Sequence, residues 1–225
     1  MTATDAAPTT VAGGYAKGRA RREAIIRTAS QQFAKRGFLS ATILEIAAAC
    51  GISRAGLLHY FPDKEALLAA VLEQRDDEDR GRFEPYIEAA GALGVLRGMV
   101  DLAEHNRAVP GLIELFVRLS AEASAPDHPA REYFDARYER IRRGTERALA
   151  AGIRAGDVRA DLDASAASIR LTALMDGLQL QWLLDPSVDM ALHVRATLDE
   201  WLTPTGRVRL AAIPPFGAPP AVVLS

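Results

Sequence analysis

The stretch Thr42 to Lys64, TILEIAAACGISRAGLLHYFPDK, constrains the fold more than any other part of the chain. Its spacing predicts a short helix, a tight turn, a second short helix and the start of a third. Thr42 can cap the first helix, with Glu45 three residues on at capping-box spacing. Ile43, Ile46 and Ala47 repeat at i, i+3 and i+4 and so share one apolar face. Cys50-Gly51-Ile52 is the turn: Gly51 can adopt the left-handed conformation that ends a helix, and Ile52 points back to the core. Ser53 caps a second helix from Arg54 to Tyr60. Pro62 cannot extend that helix, and Asp63 can cap the next. Two short helices joined this way form a helix-turn-helix, whose second helix lies in the DNA major groove.

The residues Thr42, Ile46, Ala47, Cys50, Gly51, Ile52, Ser53, Leu57, Tyr60, Phe61 and Lys64 follow the order and spacing of the TetR family motif. The chain therefore resembles TetR-family transcriptional regulators over roughly its first third, and in architecture beyond it. Three positions depart from the pattern: Ala55 where Gly is usual, Gly56 where a hydroxyl is common, and Leu58 where Tyr is common. Gly inside a helix costs about 1 kcal/mol relative to Ala and carries no side chain to touch a phosphate or base. At Gly56 it is the backbone that can approach DNA closely. The resemblance implies DNA contact across Thr42, Ser53, Arg54, Ala55, Gly56, His59, Tyr60 and Lys64. Arg is the commonest bidentate reader of guanine, which suits exposed Arg54. The matching family positions place Tyr60 and Lys64 on phosphate. Lys64 sits in a first helical turn, where the dipole disfavours a cation, and a phosphate would relieve that cost.

Charge agrees with a nucleic-acid reader. Lys17 to Lys64 holds nine Lys/Arg against three Asp/Glu, a net of +6, whereas residues 65–225 are net −7 in a chain of total −2. The basic part can neutralise phosphates, and DNA should repel the acidic part. With 225 residues and 49% hydrophobic content the chain can bury a sizeable core. No apolar run is long enough to span a membrane, and the N-terminus does not read as a secretory signal, so cytoplasm is the default. One cysteine, Cys50, excludes an internal disulfide and argues against structural zinc.

The expected organisation is a disordered tail over 1–16 and a helix-turn-helix domain over 17–64. A linker helix extends that domain to about 78. A helical regulatory and dimerisation domain over 79–203 and a Pro-rich tail over 204–225 complete the chain. The fold class is all-α, an N-terminal three-helix domain followed by a C-terminal bundle. Lys17, Arg19, Arg21 and Arg22 form either a basic arm along DNA or a solvated helix start. Helix 1 should run from Arg19 to Arg36, and helix 4 from Asp63 to about Arg75, with the acidic run from Asp76 to Asp79 as a solvated face. Further helices are expected over Phe83–Asn106, Gly111–Ser124, Pro129–Gly152, Ala164–Leu184 and Val188–Leu202.

Met99, Phe116, Tyr133, Phe134, Tyr138 and Trp182 could line a ligand cavity, with His105, Asn106 and Arg118 as polar contacts. An aromatic stripe of this kind is more often plain core. Leu171, Leu174, Met175 and Leu178, with Met190, Val194, Leu198 and Trp201, are expected at a dimer interface. The last two long helices build that interface in the family. Asp176 and Gln179 fit either a ligand contact or the interface. The four histidines lack metal-ligand spacing, and no catalytic motif or cofactor signature stands out, so neither an enzyme nor a cofactor is expected.

The resemblance thus implies a homodimeric regulator on a near-palindromic, double-stranded DNA operator. It would act as a repressor released by a small-molecule effector, with no membrane partner. The alternative is a helical ligand-binding or interaction protein that has lost specific DNA binding.

Overall fold

The computed structural model describes residues 11–215. It divides into two compact units, Met1–Glu73 and Gln74–Ser225. Among the described residues the secondary structure is helical, apart from one isolated β-bridge between Val158 and Leu202.

The first unit holds α1 (Val11–Arg36), α2 (Ile43–Ala49), α3 (Arg54–Tyr60) and the opening turns of α4 (Lys64–Asn106). Helix α1 starts earlier than Arg19. The reading of 1–16 as disordered is therefore corrected for residues 11–16, and residues 1–10 lie outside the described range. Ile25, Ile26, Ala29 and Phe33 line the buried side of α1, and Gly37 ends the helix at φ 77°. Phe38 then turns inward, its ring 5.7 Å from that of Phe33. Ile46, Ala47, Leu57, Phe61, Leu67 and Leu68 close the core around these two rings. Full burial of such side chains stabilises by about 1.5–3 kcal/mol each.

The second unit continues α4 and adds α5 (Pro110–Glu122), α6 (Arg131–Arg154), α7 (Ala164–Leu184), α8 (Met190–Trp201) and α9 (Pro204–Ala211). The two helices expected over Asp63–Arg75 and Phe83–Asn106 are both present within α4, but the break between them falls later, at Gly91, whose φ of 52° and ψ of −120° are not helical. Its apolar residues Leu93, Leu96, Val100 and Ala103 enter the same core as Leu149, Leu171, Val194 and Leu198. Asp163 caps α7 by accepting from the Ser165 and Ala166 amides, as its position suggests.

The tail is the largest departure from the sequence reading. Residues 204–211 are helix α9, with Thr203 as its cap and Pro204 in the first turn, where a missing N–H costs nothing. Leu210 is fully buried, and a Cβ on Gly206 would lie 2.0 Å from the Asp157 carbonyl, so only glycine permits that approach. Thr203 donates from its hydroxyl to the Gly156 carbonyl at 2.8 Å, and Arg209 donates to both carboxylate oxygens of Asp157. The Pro-rich tail reading therefore fails for 204–215, while residues 216–225 lie outside the described range.

Candidate nucleic-acid interface and ligand cavity

In the first unit every local signal in the Thr42–Lys64 stretch is used. Thr42 Oγ1 accepts from the Glu45 amide, and a Glu45 carboxylate oxygen accepts from the Thr42 amide at 3.1 Å, closing the capping box. The Thr42 hydroxyl also donates to that carboxylate at 2.9 Å, and this bond, the Thr42 amide and Arg36 hold the Glu45 carboxyl below its usual range. Gly51 sits at φ 65°, and the Ile52 amide returns to the Ala47 carbonyl at 3.0 Å. Ser53 Oγ accepts from the Gly56 amide at 3.0 Å and starts α3. Leu57 anchors α3 with no exposed surface, and Leu58 is half-buried beside it.

That anchoring leaves one face of α3 outward. Arg54, Ala55 and His59 are exposed, with Gly56 and Tyr60 half-buried at its margins. Thr42 and Ser53, the two capping residues, are exposed beside it. The His59 and Tyr60 rings meet edge to face at 5.5 Å. Arg21 donates to the Cys50 carbonyl at 3.3 Å, and the Arg22 guanidinium lies 5.0 Å from the Phe61 ring centroid. These two arginines brace the turn and α3 from α1; they are not a free arm.

Lys64 is placed differently from the phosphate contact its position implies. Its ammonium donates to the carbonyls of Phe38, Leu39 and Ala41 at 2.9, 3.4 and 3.1 Å and lies 4.3 Å from the Phe38 ring centroid. A lysine has three N–H donors, and all three have protein acceptors here. These carbonyls relieve the electrostatic cost of a cation at a helix start.

In the second unit, helices α4, α5, α6 and α7 enclose a cavity of about 840 Å³. Met99, Phe116, Phe134 and Tyr138 line it, as the aromatic stripe suggests. Three other expected lining residues do not. Trp182 is in the apolar core with Leu178 and Trp201, Tyr133 turns to Asp76, and His105 is off the wall while its neighbour Asn106 is on it. Asp176 and Gln179 both reach the wall.

One end of the cavity is strongly charged. Asp76 accepts from Arg137, from Arg140 at 2.7 Å and from the Tyr133 hydroxyl at 2.9 Å. The acidic run expected to be solvated thus contributes a half-buried carboxylate to an ion-pair cluster. Burial raises the Tyr133 hydroxyl well above its usual range, against the pull of Arg137, so it remains a neutral donor. Burial, reinforced by the Asp176 carboxylate, pushes Tyr138 up to about 12, and its hydroxyl donates to Asp176 at 2.9 Å. Burial also lifts the Asp176 carboxyl, and Tyr138 and Arg137 oppose it. Farther along the cavity, Asn106 and Thr145 are 0% and 1% exposed. Both side-chain ends of Asn106 and the Thr145 hydroxyl make no hydrogen bond among the described residues. Buried polar atoms are nearly always satisfied, so Asn106 and Thr145 stand out among the lining side chains.

The expected dimer residues require correction. Leu171, Leu178, Met190, Val194, Leu198 and Trp201 are buried within the chain's own core, and Leu174 and Met175 pack at its edge. A residue sealed inside one protomer cannot meet a second. The outward apolar residues of α7 and α8 are instead Ile169, Leu180, Leu184 and Leu192, each 48–80% exposed.

No helix among the described residues is long and apolar enough to cross a membrane. Residues 25–71 match the family model for bacterial regulatory proteins of the tetR family, and residues 93–205 match that for the C-terminal part of BetI-type transcriptional repressors. The chain is 28% identical over 199 residues to the HTH-type transcriptional regulator TtgR of Pseudomonas putida, covering 80% of this chain and 89% of that protein. It is 26% identical over 148 residues to the HTH-type transcriptional repressor KstR2 of Mycolicibacterium smegmatis, covering 64% of this chain and 70% of that one. Among solved structures, the complex of SmeT, from Stenotrophomonas maltophilia, with triclosan superposes at a TM-score of 0.72. That match has 21% identity over 89% of this chain and 97% of that chain, a likeness of fold.

Proposed function

The chain belongs to the TetR family of bacterial transcriptional regulators, and on that premise we propose that it is a dimeric repressor released from its operator by a small molecule. It acts by binding and not by catalysis, in the cytoplasm, where the DNA lies. Arg54 and His59 reach base edges from the outward face of α3, Tyr60 supplies a phosphate contact, and Gly56 lets the helix backbone come close. Thr42, Ser53 and Ala55 flank that contact. Two such heads would read half-sites about 34–36 Å apart in successive major grooves. The second copy would be joined through the apolar face of Ile169, Leu180, Leu184 and Leu192. The working boundaries are a DNA-binding domain to about 64, a linker helix to about 78 and a regulatory domain beyond.

The carrying observation is that one chain combines an outward, Ser53-capped reading helix with a cavity holding unsatisfied buried polar atoms. A ligand in that cavity releases DNA if it binds the DNA-incompetent form better; equal affinity for both forms would shift nothing. The test is selection of genomic fragments by the purified protein, followed by operator binding with and without candidate ligands. A monomer with no affinity for any duplex at low salt would sink the reading.

A further inference from the structure

If the unit Gln74–Ser225 binds the effector, as proposed above, its walls define the chemistry of that effector. Five arginines line the cavity, Arg75, Arg80, Arg137, Arg140 and Arg147, against two aspartates, Asp76 and Asp176. At Asp76 one carboxylate meets two guanidiniums, Arg137 and Arg140, while Arg80 turns to Asp77 at 3.0 Å. Guanidinium recognises carboxylate and phosphate through paired N–H donors, and it does so best where water is scarce.

A cationic guest fits poorly. The Phe116 ring, the natural aromatic platform, already faces Arg137 at 4.9 Å and Arg75 at 6.0 Å from its centroid. An ammonium ligand would have to displace these cations or sit beside them.

Much of the remaining wall is apolar, with Met99, Leu102, Ile113, Val117 and Ile141. Arg137 and Thr145 stand eight residues apart on α6, which at the helical rise of 1.5 Å per residue separates them by about 12 Å. Thr145, whose hydroxyl is unsatisfied, therefore stands well along α6 from Arg137.

We propose that the effector is an elongated, mainly apolar organic anion. Its carboxylate or phosphate competes with Asp76 for Arg137 and Arg140, its shaft lies on the Met99–Ile113 wall, and a hydroxyl or carbonyl reaches Asn106 and Thr145. Displacing Asp76 from its arginines would release the contact that this part of α4 makes with α6.

The experiment is calorimetric titration of the full chain with 10-hydroxydecanoate, decanoate, decanoyl-coenzyme A, methyl decanoate and decyltrimethylammonium. At least one of decanoate and decanoyl-coenzyme A binds, and which is tighter tells whether the anion is a free acid or the phosphates of a thioester. Methyl decanoate binds at least about tenfold more weakly than the tighter anion, and decyltrimethylammonium does not bind. Arg140→Gln weakens the anion about tenfold and leaves methyl decanoate unchanged. Asn106→Leu abolishes the preference for 10-hydroxydecanoate over decanoate. Equal binding of the neutral ester, tighter binding of the ammonium, or no binding of either anion overturns the proposal. Because no DNA is present in the titration, anion binding by a protein that ignores every duplex would refute the regulator reading alone. Operator binding by a protein that ignores every anion would refute the ligand class alone.

Discussion

Asp76 on α4 accepts from Arg137 on α6, and Arg140, nearly one turn farther along α6, donates to its other carboxylate oxygen at 2.7 Å. The Asp76 and Arg137 side chains are each 16% exposed, so the pair is largely shielded from water, whereas Arg140 is more than half exposed. Removing one partner of a buried pair leaves the other charge uncompensated, at about 3–5 kcal/mol when burial is complete. Partial exposure reduces that, so Asp76→Asn should destabilise the chain by about 1–3 kcal/mol in urea melts. It should also tighten binding of carboxylate ligands, since two guanidiniums lose their internal competitor. Unchanged stability together with weaker carboxylate binding would show that Asp76 neither braces α4 nor competes for the site.

Lys64 separates two accounts of one residue. As a phosphate contact, Lys64→Ala would reduce the salt slope of DNA binding by about one unit. As the donor to the carbonyls of Phe38, Leu39 and Ala41, its loss strands acceptors beneath α4 and costs about 1.5–3 kcal/mol of stability. The expected result is a lowered melting temperature with the salt slope preserved in the folded fraction. A slope reduced by one unit with an unchanged melt would return Lys64 to the phosphate.

Which features could be read from the sequence follows from how local they are. The capping box of Thr42 and Glu45, the Gly51 turn and the Ser53 cap each lie within a few residues of their partners, and each is present. Asp76 could not be read this way, because its partners stand 61 and 64 residues away on α6. Periodicity identifies helix α7 but not its buried face. Leu171 and Leu178 on one side and Ile169, Leu180 and Leu184 on the other are all apolar, so periodicity could not tell inside from outside. The prolines after Thr203 suggested a loose tail, yet Pro204 starts a helix because its cap and its fixed φ suit a first turn. Asn106 stood beside His105 in the sequence reading, and burial, which sequence does not display, selects Asn106.

Arg54 is exposed at the first position of α3, where base edges come within reach. Arg54→Ala should cost about 1–3 kcal/mol on the preferred operator and relax preference at one base pair. Its affinity for unrelated duplexes should fall far less. Fragment selection with the variant measures both quantities. An unaltered preference, with affinity reduced equally on all sequences, would move Arg54 from base to backbone.

Glu45 gives a pH dependence with a defined sign. Hydrogen bonds from Thr42, with Arg36 nearby, hold its carboxyl below the ordinary value of 4.5 in the folded chain. A depressed carboxylate contributes stability that is fully present above its unfolded pKa and is lost as pH falls through the folded one. The stability difference between the parent and Glu45→Gln should therefore be constant from pH 7 down to about pH 5 and shrink below that. Paired urea melts across this range measure it. A difference that persists unchanged well below pH 4.5 would mean that packing, and not the charge, accounts for the effect of the substitution.

The apolar residues of α7 point to two different fates for one kind of substitution. Leu184 is 80% exposed and Ile169 is 53% exposed, whereas Leu171 is fully buried among Val194 and Leu198. A two-fold dimer uses the same patch on both copies, so one glutamate introduced there appears twice, facing its own kind or bare hydrocarbon. The double substitution Ile169→Glu and Leu184→Glu should yield a folded monomer by light scattering, with its helical signal intact. Leu171→Glu should instead place a charge in the core, where burial costs far more than a small domain's margin of stability, and it should unfold the chain. Were Leu171 at the interface, its variant would be the folded monomer and the double variant would remain a dimer. Chromatography of the two variants side by side therefore decides which stripe of α7 faces the second copy.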